Sequence, residues 1–391
     1  MRRTVIAALS VGLLLAGCGD DDGSGGGGGG EPIKIGVNVE TSGPAAVLGG
    51  AYANAAKLRA REINKAGGIM GRRIELLVQD NRSDQTEALT IARELTEEEE
   101  VVAMVGPGTS PTTLAAMGAI LKSGVPTISM GSAVAIVEPV EEHPNVFKTP
   151  PDGPVVAEAI AGDLEKRGLE KVALISTNNP YGDDGLQAME KLADEGRFEL
   201  VATEKFEEDD SDTTPQLRAL LGANPDALVV WAIPPGAPTV RKNAVEALNI
   251  DIPMYFDSGA GAELFLELAG SSANGALVAQ PKSLVWDQVP EDDPSAQELR
   301  EFGEAYERSY GEMSGFAGYS WDALGLLKAA MEEANSTEPQ AVIDAFEGLG
   351  EYDGVSGTLE YSSDRHSGLG PEDLVILEVE KGDWVLPTSA D

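Results

Sequence analysis

Ile33-Lys34-Ile35-Gly36-Val37-Asn38-Val39, followed by the alanine-rich Gly50 to Ala66 and then Gly67-Gly68, sets the reading of the chain. The first stretch is apolar almost throughout and too short for a helix, so it reads as a buried strand. The second has helical length, and a glycine pair stops it in the manner of a helix C-terminus. The same alternation continues: Ile74 to Gln79 strand, Thr86 to Glu98 helix, Val101 to Val105 strand. Pro111 to Lys122 is a helix with proline near its first turn, and Thr127 to Ser129 a short strand. Apolar strands separated by helix-length segments imply parallel sheets covered on both faces.

Around Phe147-Lys148-Thr149-Pro150 the rhythm pauses and then restarts. Helices are expected at Pro154 to Arg167, Asp184 to Asp194, Thr213 to Leu221 and Pro238 to Leu248. Strands are expected at Val172 to Ser176, Leu200 to Lys205, Ala227 to Ala232 and Met254 to Phe256, with a further apolar stretch at Ala276 to Ala279. Three later helices, Ser295 to Tyr310, Tyr319 to Ala334 and Pro339 to Glu347, have no strands between them and must cover existing sheets. Gly357 to Tyr361 and Leu374 to Val379 close the chain as strands. The fold class is α/β, with two doubly wound parallel-sheet lobes. The length agrees, because the roughly 360 residues after Gly30 exceed what one hydrophobic core usually organises.

The N-terminus carries a different signal. Arg2 and Arg3 precede a short apolar run, Val5 to Leu15, and small residues follow, which is the pattern of a secretory leader over residues 1–17. That run is too short for an ordinary membrane-spanning helix. Leu15-Ala16-Gly17-Cys18 resembles a bacterial lipobox, in which the thiol is acylated and the chain is cut just before it. Cys18 is the single cysteine, so a structural disulfide is excluded. Two or three acyl chains anchor a protein stably, where one does so marginally. Residues 18–30, dominated by Asp20 to Asp22 and glycines, can bury no apolar area and read as a flexible tether. A phosphate loop is excluded there, since no strand precedes the glycines and no Lys-Ser/Thr follows.

The formal charge is −38, and removal of Arg2 and Arg3 with the leader takes it to −40. A body so acidic repels nucleic acid and anionic lipid headgroups. Enzymatic chemistry finds little support. His143, beside Glu141-Glu142, and His366, in Asp364-Arg365-His366-Ser367, read as exposed loop residues without a nucleophile nearby. Glu97 to Glu100 and Glu207 to Asp210 read as solvated charge runs, and no calcium-loop spacing appears. Neither a cofactor nor a metal is expected.

In open parallel sheets, ligands bind beyond the carboxyl ends of the strands. Four turns there are rich in small and polar residues: Thr41 to Pro44, Gly106 to Ser110, Ser129 to Ala133, and Asn178 to Gly182. Ser110 stands at a helix start, where exposed amides favour a carboxylate; the alternative is that it caps its own helix. Asp257, just past a strand, can pair with a ligand ammonium or serve as the turn residue of Asp-Ser-Gly. Tyr181 can close over a ligand or simply pack at the lobe edge.

Beyond these readings, the chain resembles the type 1 periplasmic binding proteins of the leucine/isoleucine/valine-binding family from Ile33 to Val379. The resemblance rests on Ile35-Gly36-Val37 through Thr41-Ser42-Gly43-Pro44, and on Glu62-Ile63-Asn64-Lys65-Ala66-Gly67-Gly68-Ile69-Met70-Gly71. Gly106-Pro107, Gly124-Val125-Pro126 and Tyr181-Gly182 fit its spacing. Tyr319-Ser320-Trp321-Asp322-Ala323 looks like the family's Gly-Tyr-Asp-Ala helix with two extra residues. The resemblance implies two lobes joined by a three-strand hinge, with a small solute clamped between them and handed to an ABC transporter permease. Lobe one would comprise 31–150 and 281–355, and lobe two 151–280 and 356–391. It also implies a monomer, held outside the cytoplasm by lipid on Cys18. By the same resemblance Ser110 binds a ligand carboxylate, Tyr181 covers the ligand, Asp257 takes its ammonium, and Leu48 and Tyr319 line the pocket. Three positions depart from the family: Ala133, after Gly131-Ser132, replaces a threonine, Ile233 replaces a pocket tyrosine, and Asp257 is one methylene shorter than the glutamate usual there. Backbone contacts from 131–133 survive the first change, with Ser132 a substitute for the lost hydroxyl. The implied solute is an amino acid or a related compound, with a sensing receptor, or a binder of amides or aromatic acids, as alternatives.

Overall fold

Strand β1 (Ile33–Val39) is buried at every position but Lys34, as an apolar strand with both faces covered requires. The chain is described by a computed structural model over residues 30–387; the leader, Cys18 and nearly all of the tether lie outside the described residues. Helix α1 (Ala46–Lys65) starts four residues earlier than its alanines suggest, and Gly67 and Gly68, both at positive φ, end it. Gly49 lies against the backbone of Glu40, where a Cβ would collide. Strand β2 (Ile74–Asp80) leads to α2 (Gln85–Arg93), whose Asp84 cap accepts the Glu87 amide at 2.8 Å. Strand β3 (Ala103–Val105), helix α3 (Ser110–Ser123), β4 (Thr127–Ser129) and β5 (Val146–Lys148) complete the first sheet. Its order is β2-β1-β3-β4-β5, parallel throughout.

The second lobe repeats the pattern with α4 (Gly153–Arg167), β6 (Lys171–Thr177), α5 (Pro180–Asp194), β7 (Glu199–Phe206), α6 (Thr214–Leu221) and β8 (Ala227–Trp231). Helix α7 (Gly236–Lys242), β9 (Met254–Phe256), α8 (Glu263–Ala269) and β10 (Ala276–Pro281) follow. The chain then returns to the first lobe for α9 (Ala296–Tyr310), α10 (Ala317–Ala334), α11 (Pro339–Gly348) and the hairpin β11 (Gly350–Gly354) with β12 (Gly357–Tyr361). It ends in the second sheet as β13 (Leu374–Glu380) and β14 (Asp383–Val385), giving the order β14-β13-β10-β9-β8-β6-β7. The last two strands run antiparallel. In each sheet the strand order reverses beside the lobe's first strand: β1 lies between β2 and β3, and β6 between β7 and β8. Those two switch points define where a crevice opens.

Several expectations need correction. The pause at Phe147-Lys148 is strand β5, three residues long and therefore without readable periodicity. Helix α5 begins at Pro180, and α8, β11 and β14 carried no distinct signal. Residues 356–370, expected with the second lobe, pack on the first: Leu359, Tyr361 and Leu369 lie in its core. Leu284 and Val285, expected with the first lobe, belong to the core of the second. His366 is not an exposed loop residue but is 1% exposed, stacked on Phe147 with its Nδ1 2.8 Å from the Val146 carbonyl.

Candidate functional site

A cavity of about 660 Å³ opens between the lobes, at the carboxyl ends of the strands. From the first lobe come Pro44 and Leu48 beyond β1, Thr109 and Ser110 beyond β3, and Gly131 and Ser132 beyond β4. The second lobe contributes Asn178 and Tyr181 beyond β6, Glu207 to Asp209 beyond β7, Ile233 beyond β8 and Gly259 beyond β9. Phe316 and Tyr319, at the start of α10, complete the wall. No Lys, Arg or His stands among the lining residues, so the wall is neutral to negative.

Ser110 does not cap helix α3. Thr109 does, accepting the Thr112 amide in a capping box. The Ser110 hydroxyl accepts the amides of Ser132 at 3.2 Å and Ala133 at 3.1 Å. A hydroxyl has two lone pairs and one proton. With both lone pairs engaged, the proton is left to point elsewhere, and Ser110 lines the cavity. It therefore offers a donor to a ligand oxygen. The amides of 132 and 133, which the sequence suggested would meet a ligand directly, are held by Ser110 instead. Ala133 stands behind the wall, 2% exposed, in the apolar cluster with Ile136.

Asp257 is also behind the wall and fully buried. Its carboxylate accepts the Ala232 amide at 2.9 Å, the Gly259 amide at 2.8 Å and the Tyr181 hydroxyl. Burial pushes its pKa up to about 7, against the pull of those amides. Tyr181 reaches the cavity with its ring and Asp257 with its hydroxyl, so it connects ligand space to the buried charge. A Cβ at Gly259 would press on the side chains of Tyr181, Asp257 and Ile233, which would have to shift. Tyr319 is 2% exposed, and its hydroxyl has no partner among the described residues. Burial raises its pKa, and the Asp257 carboxylate adds to that.

The arrangement can hold an acceptor-bearing group at Ser110 and a polar or cationic group near Tyr181 and Tyr319, with Leu48 and Ile233 supplying apolar contact. Among the described residues no cluster of His, Cys, Asp or Glu could hold a metal ion, and no helix is long and apolar enough to cross a membrane.

The family described as "Periplasmic binding protein" matches residues 32–383. The chain belongs to the periplasmic binding protein family. Such proteins bind solutes and are not enzymes, and they work outside the cytoplasm. The chain is 24% identical over 353 residues to Leu/Ile/Val-binding protein homolog 7 of Brucella suis biovar 1 (strain 1330), covering 87% of this chain and 85% of the relative. It superposes on an extracellular ligand-binding receptor from Rhodopseudomonas palustris HaA2 with a TM-score of 0.84 and 26% identity, over 92% of this chain and 100% of the other. It is similar also to LivJ from Streptococcus pneumoniae str. Canada MDR_19A, a branched-chain amino acid transporter substrate binding protein in complex with isoleucine. There the TM-score is 0.78 and the identity 27%, over 91% of this chain and 100% of LivJ.

In this periplasmic binding protein, seven of the sequence-derived residues meet on the cavity wall: Leu48, Ser110, Gly131, Ser132, Tyr181, Ile233 and Tyr319. Thr41 to Gly43 face solvent, held by Asp80, which accepts the Ser42 amide at 3.1 Å. Tyr52 and Phe316 are wall residues that the sequence reading passed over, and Glu207 to Asp209, expected to be only a solvated charge run, also line the wall. The last group follows β7, so the strand-end rule itself would have found it. Tyr52 sits on a helix and Phe316 just before one, where nothing local separates a wall aromatic from a core one.

Proposed function

We propose that the protein captures an amino acid or a closely related small solute between its two lobes and hands it to an ABC importer from a lipid anchor on Cys18. The observation that carries the reading is the pairing of opposite chemistries across one cavity. Ser110 presents a hydroxyl proton from the first lobe, and the second lobe presents Tyr181 backed by the Asp257 carboxylate. A zwitterion placed with its carboxylate at Ser110 and its ammonium toward Tyr181 and Asp257 would satisfy both, and Leu48 and Ile233 would take its side chain. The Brucella relatives' name and the isoleucine in LivJ support the same solute class.

A second reading has an observation of its own. Three donors already occupy Asp257, which leaves about one of its four lone-pair positions for a ligand. A solute without an ammonium group, such as an amide or an aromatic acid, suits a carboxylate so engaged. Melting curves against L-leucine, L-isoleucine, L-valine, the other amino acids, amides and aromatic acids separate the two. A solute at a hundred times its Kd adds about 2.7 kcal/mol to the folded state, a rise of a few degrees. An amino acid giving the largest shift supports the first reading; an ammonium-free solute giving it supports the second. A flat response across all classes removes both.

A further inference from the structure

The loop 131–134, on the cavity wall at Gly131 and Ser132, is pinned at each successive residue. Gly131 donates its amide to Ser129 Oγ at 2.9 Å, and Ser132 and Ala133 donate theirs to Ser110 Oγ. The Ser132 carbonyl accepts from Lys148 Nζ. All of these partners belong to the first lobe. Val134 differs: its amide donates to Asp184 Oδ1 at 2.9 Å, and Asp184 sits on α5 of the second lobe.

The other oxygen of Asp184 accepts the Gly153 amide at 2.9 Å, at the first residue of α4. That amide follows directly on the first crossover between lobes. Gly153 carries no side chain where one would run into the Asp184 carboxylate. Nearby, Lys148 is fully buried, 3.8 Å from Asp152, which caps α4 by accepting the Val155 amide at 3.1 Å. Burial lowers the Lys148 pKa, and Asp152, Asp184 and Glu138 oppose that. One carboxylate thus spans three parts: the second lobe on which it stands, the crossover, and the loop that orients Ser110.

We propose that Asp184 is a positioning residue that ties the second lobe to the 131–134 loop, so that the angle between the lobes and the presentation of Ser110 are set together. The functional importance of the loop rests on the proposed solute site, but the tie itself is testable without any solute. Asp184→Ala removes the charge and both acceptors, the one that holds Val134 and the one that holds Gly153. Val134→Pro removes the donor from the other side, at the first residue of a 3-10 turn whose preceding residue has the extended ψ that proline tolerates. Asp183→Asn is the control, since Asp183 pairs with Lys205 within the second lobe.

These variants are made in the full chain carrying Cys18→Ser and compared without solute by hydrogen exchange and solution scattering. Asp184→Ala is expected to speed exchange of the 131–133 amides roughly tenfold, the scale of a lost hydrogen bond to a charged group. It should also enlarge the radius of gyration. Val134→Pro should enlarge the radius too, and the double variant no further than Asp184→Ala alone, because Asp184→Ala already cuts the bond that Val134→Pro removes. Asp183→Asn should leave exchange and radius unchanged. The tie is overturned if Asp184→Ala leaves both at wild-type values, or if the double variant opens as the sum of the two singles. A solute screen that fails leaves this result standing, and the reverse also holds.

Discussion

In the proposed solute site, Asp257 is the residue whose ionisation matters most. It is a carboxylate without exposure, and burial holds its pKa near 7, about three units above its ordinary value. The folded state therefore binds a proton more tightly than the unfolded chain. The stability this contributes is full below about pH 4 and is lost as pH rises through about 7. Glu263 and Asp322, each pushed up to about 7 chiefly by burial, act in the same direction. Denaturation midpoints of the solute-free protein should fall between pH 5 and 8, and Asp257→Asn should flatten part of that slope. Binding of an ammonium has the opposite dependence, because only the ionised carboxylate pairs with it. Affinity for an α-amino acid should rise with pH up to about 7, and calorimetry at pH 6 should register proton release. Asp257→Asn should cost on the order of 2–5 kcal/mol in binding, thirtyfold or more. Ser110→Ala should cost about 1 kcal/mol, since the amides it now engages become free to take its place. Calorimetric titration of both variants with the solute found by melting distinguishes the roles. An unchanged Kd for Asp257→Asn with an α-amino acid would place the ammonium elsewhere.

At the scale of elements, the crossovers hold the most information that sequence could not convey. Strand β5 carries Phe147 between the rings of Phe346, at 4.2 Å, and His366, at 4.0 Å, with Tyr361 edge-on at 5.9 Å. The Lys148 amide donates to the His366 carbonyl at 3.0 Å, and the Tyr361 hydroxyl to the Lys148 carbonyl at 3.0 Å. The first and third crossovers are thereby stitched together on one side of the first lobe. Phe147→Ala should destabilise the protein by about 3–5 kcal/mol, as large-to-small changes in a packed core do. Equilibrium urea unfolding reads this directly, and a change under 1 kcal/mol would mean that the aromatic cluster is dispensable. The helices themselves were far easier to read: Thr109, Asp84 and Gly124 act within a few residues of the ends they define.

The molecule as a whole is two sheets of the same winding, facing each other across a cavity at their switch points. A solute that touches both lobes favours the closed arrangement, so scattering should record a smaller radius with the solute present than without it. The acidic composition favours a dispersed body held away from anionic lipid headgroups, so the proposed membrane attachment rests on the lipobox-like Leu15-Ala16-Gly17-Cys18. Fractionation of a host expressing wild type and Cys18→Ser tests this. Wild type should sediment with membranes and the variant should remain soluble. Equal membrane association of the two would require another anchor.

What the sequence determined by itself was the alternation of strand and helix, the doubling of the lobe and several of the turns that line the cleft. Each of these is written in near neighbours: an apolar run, a cap three residues from its partner, a glycine at a helix end. Tertiary structure alone decided that Ser110 is oriented by amides 22 and 23 residues away. It alone brought Tyr181 to Asp257 across 76 residues and Val134 to Asp184 across 50. It also buried His366 against a strand 220 residues earlier in the chain. Local patterns survive in a sequence because backbone geometry repeats every two or 3.6 residues. Contacts across lobes have no period, and they exist only once the cores have packed and fixed which surfaces meet.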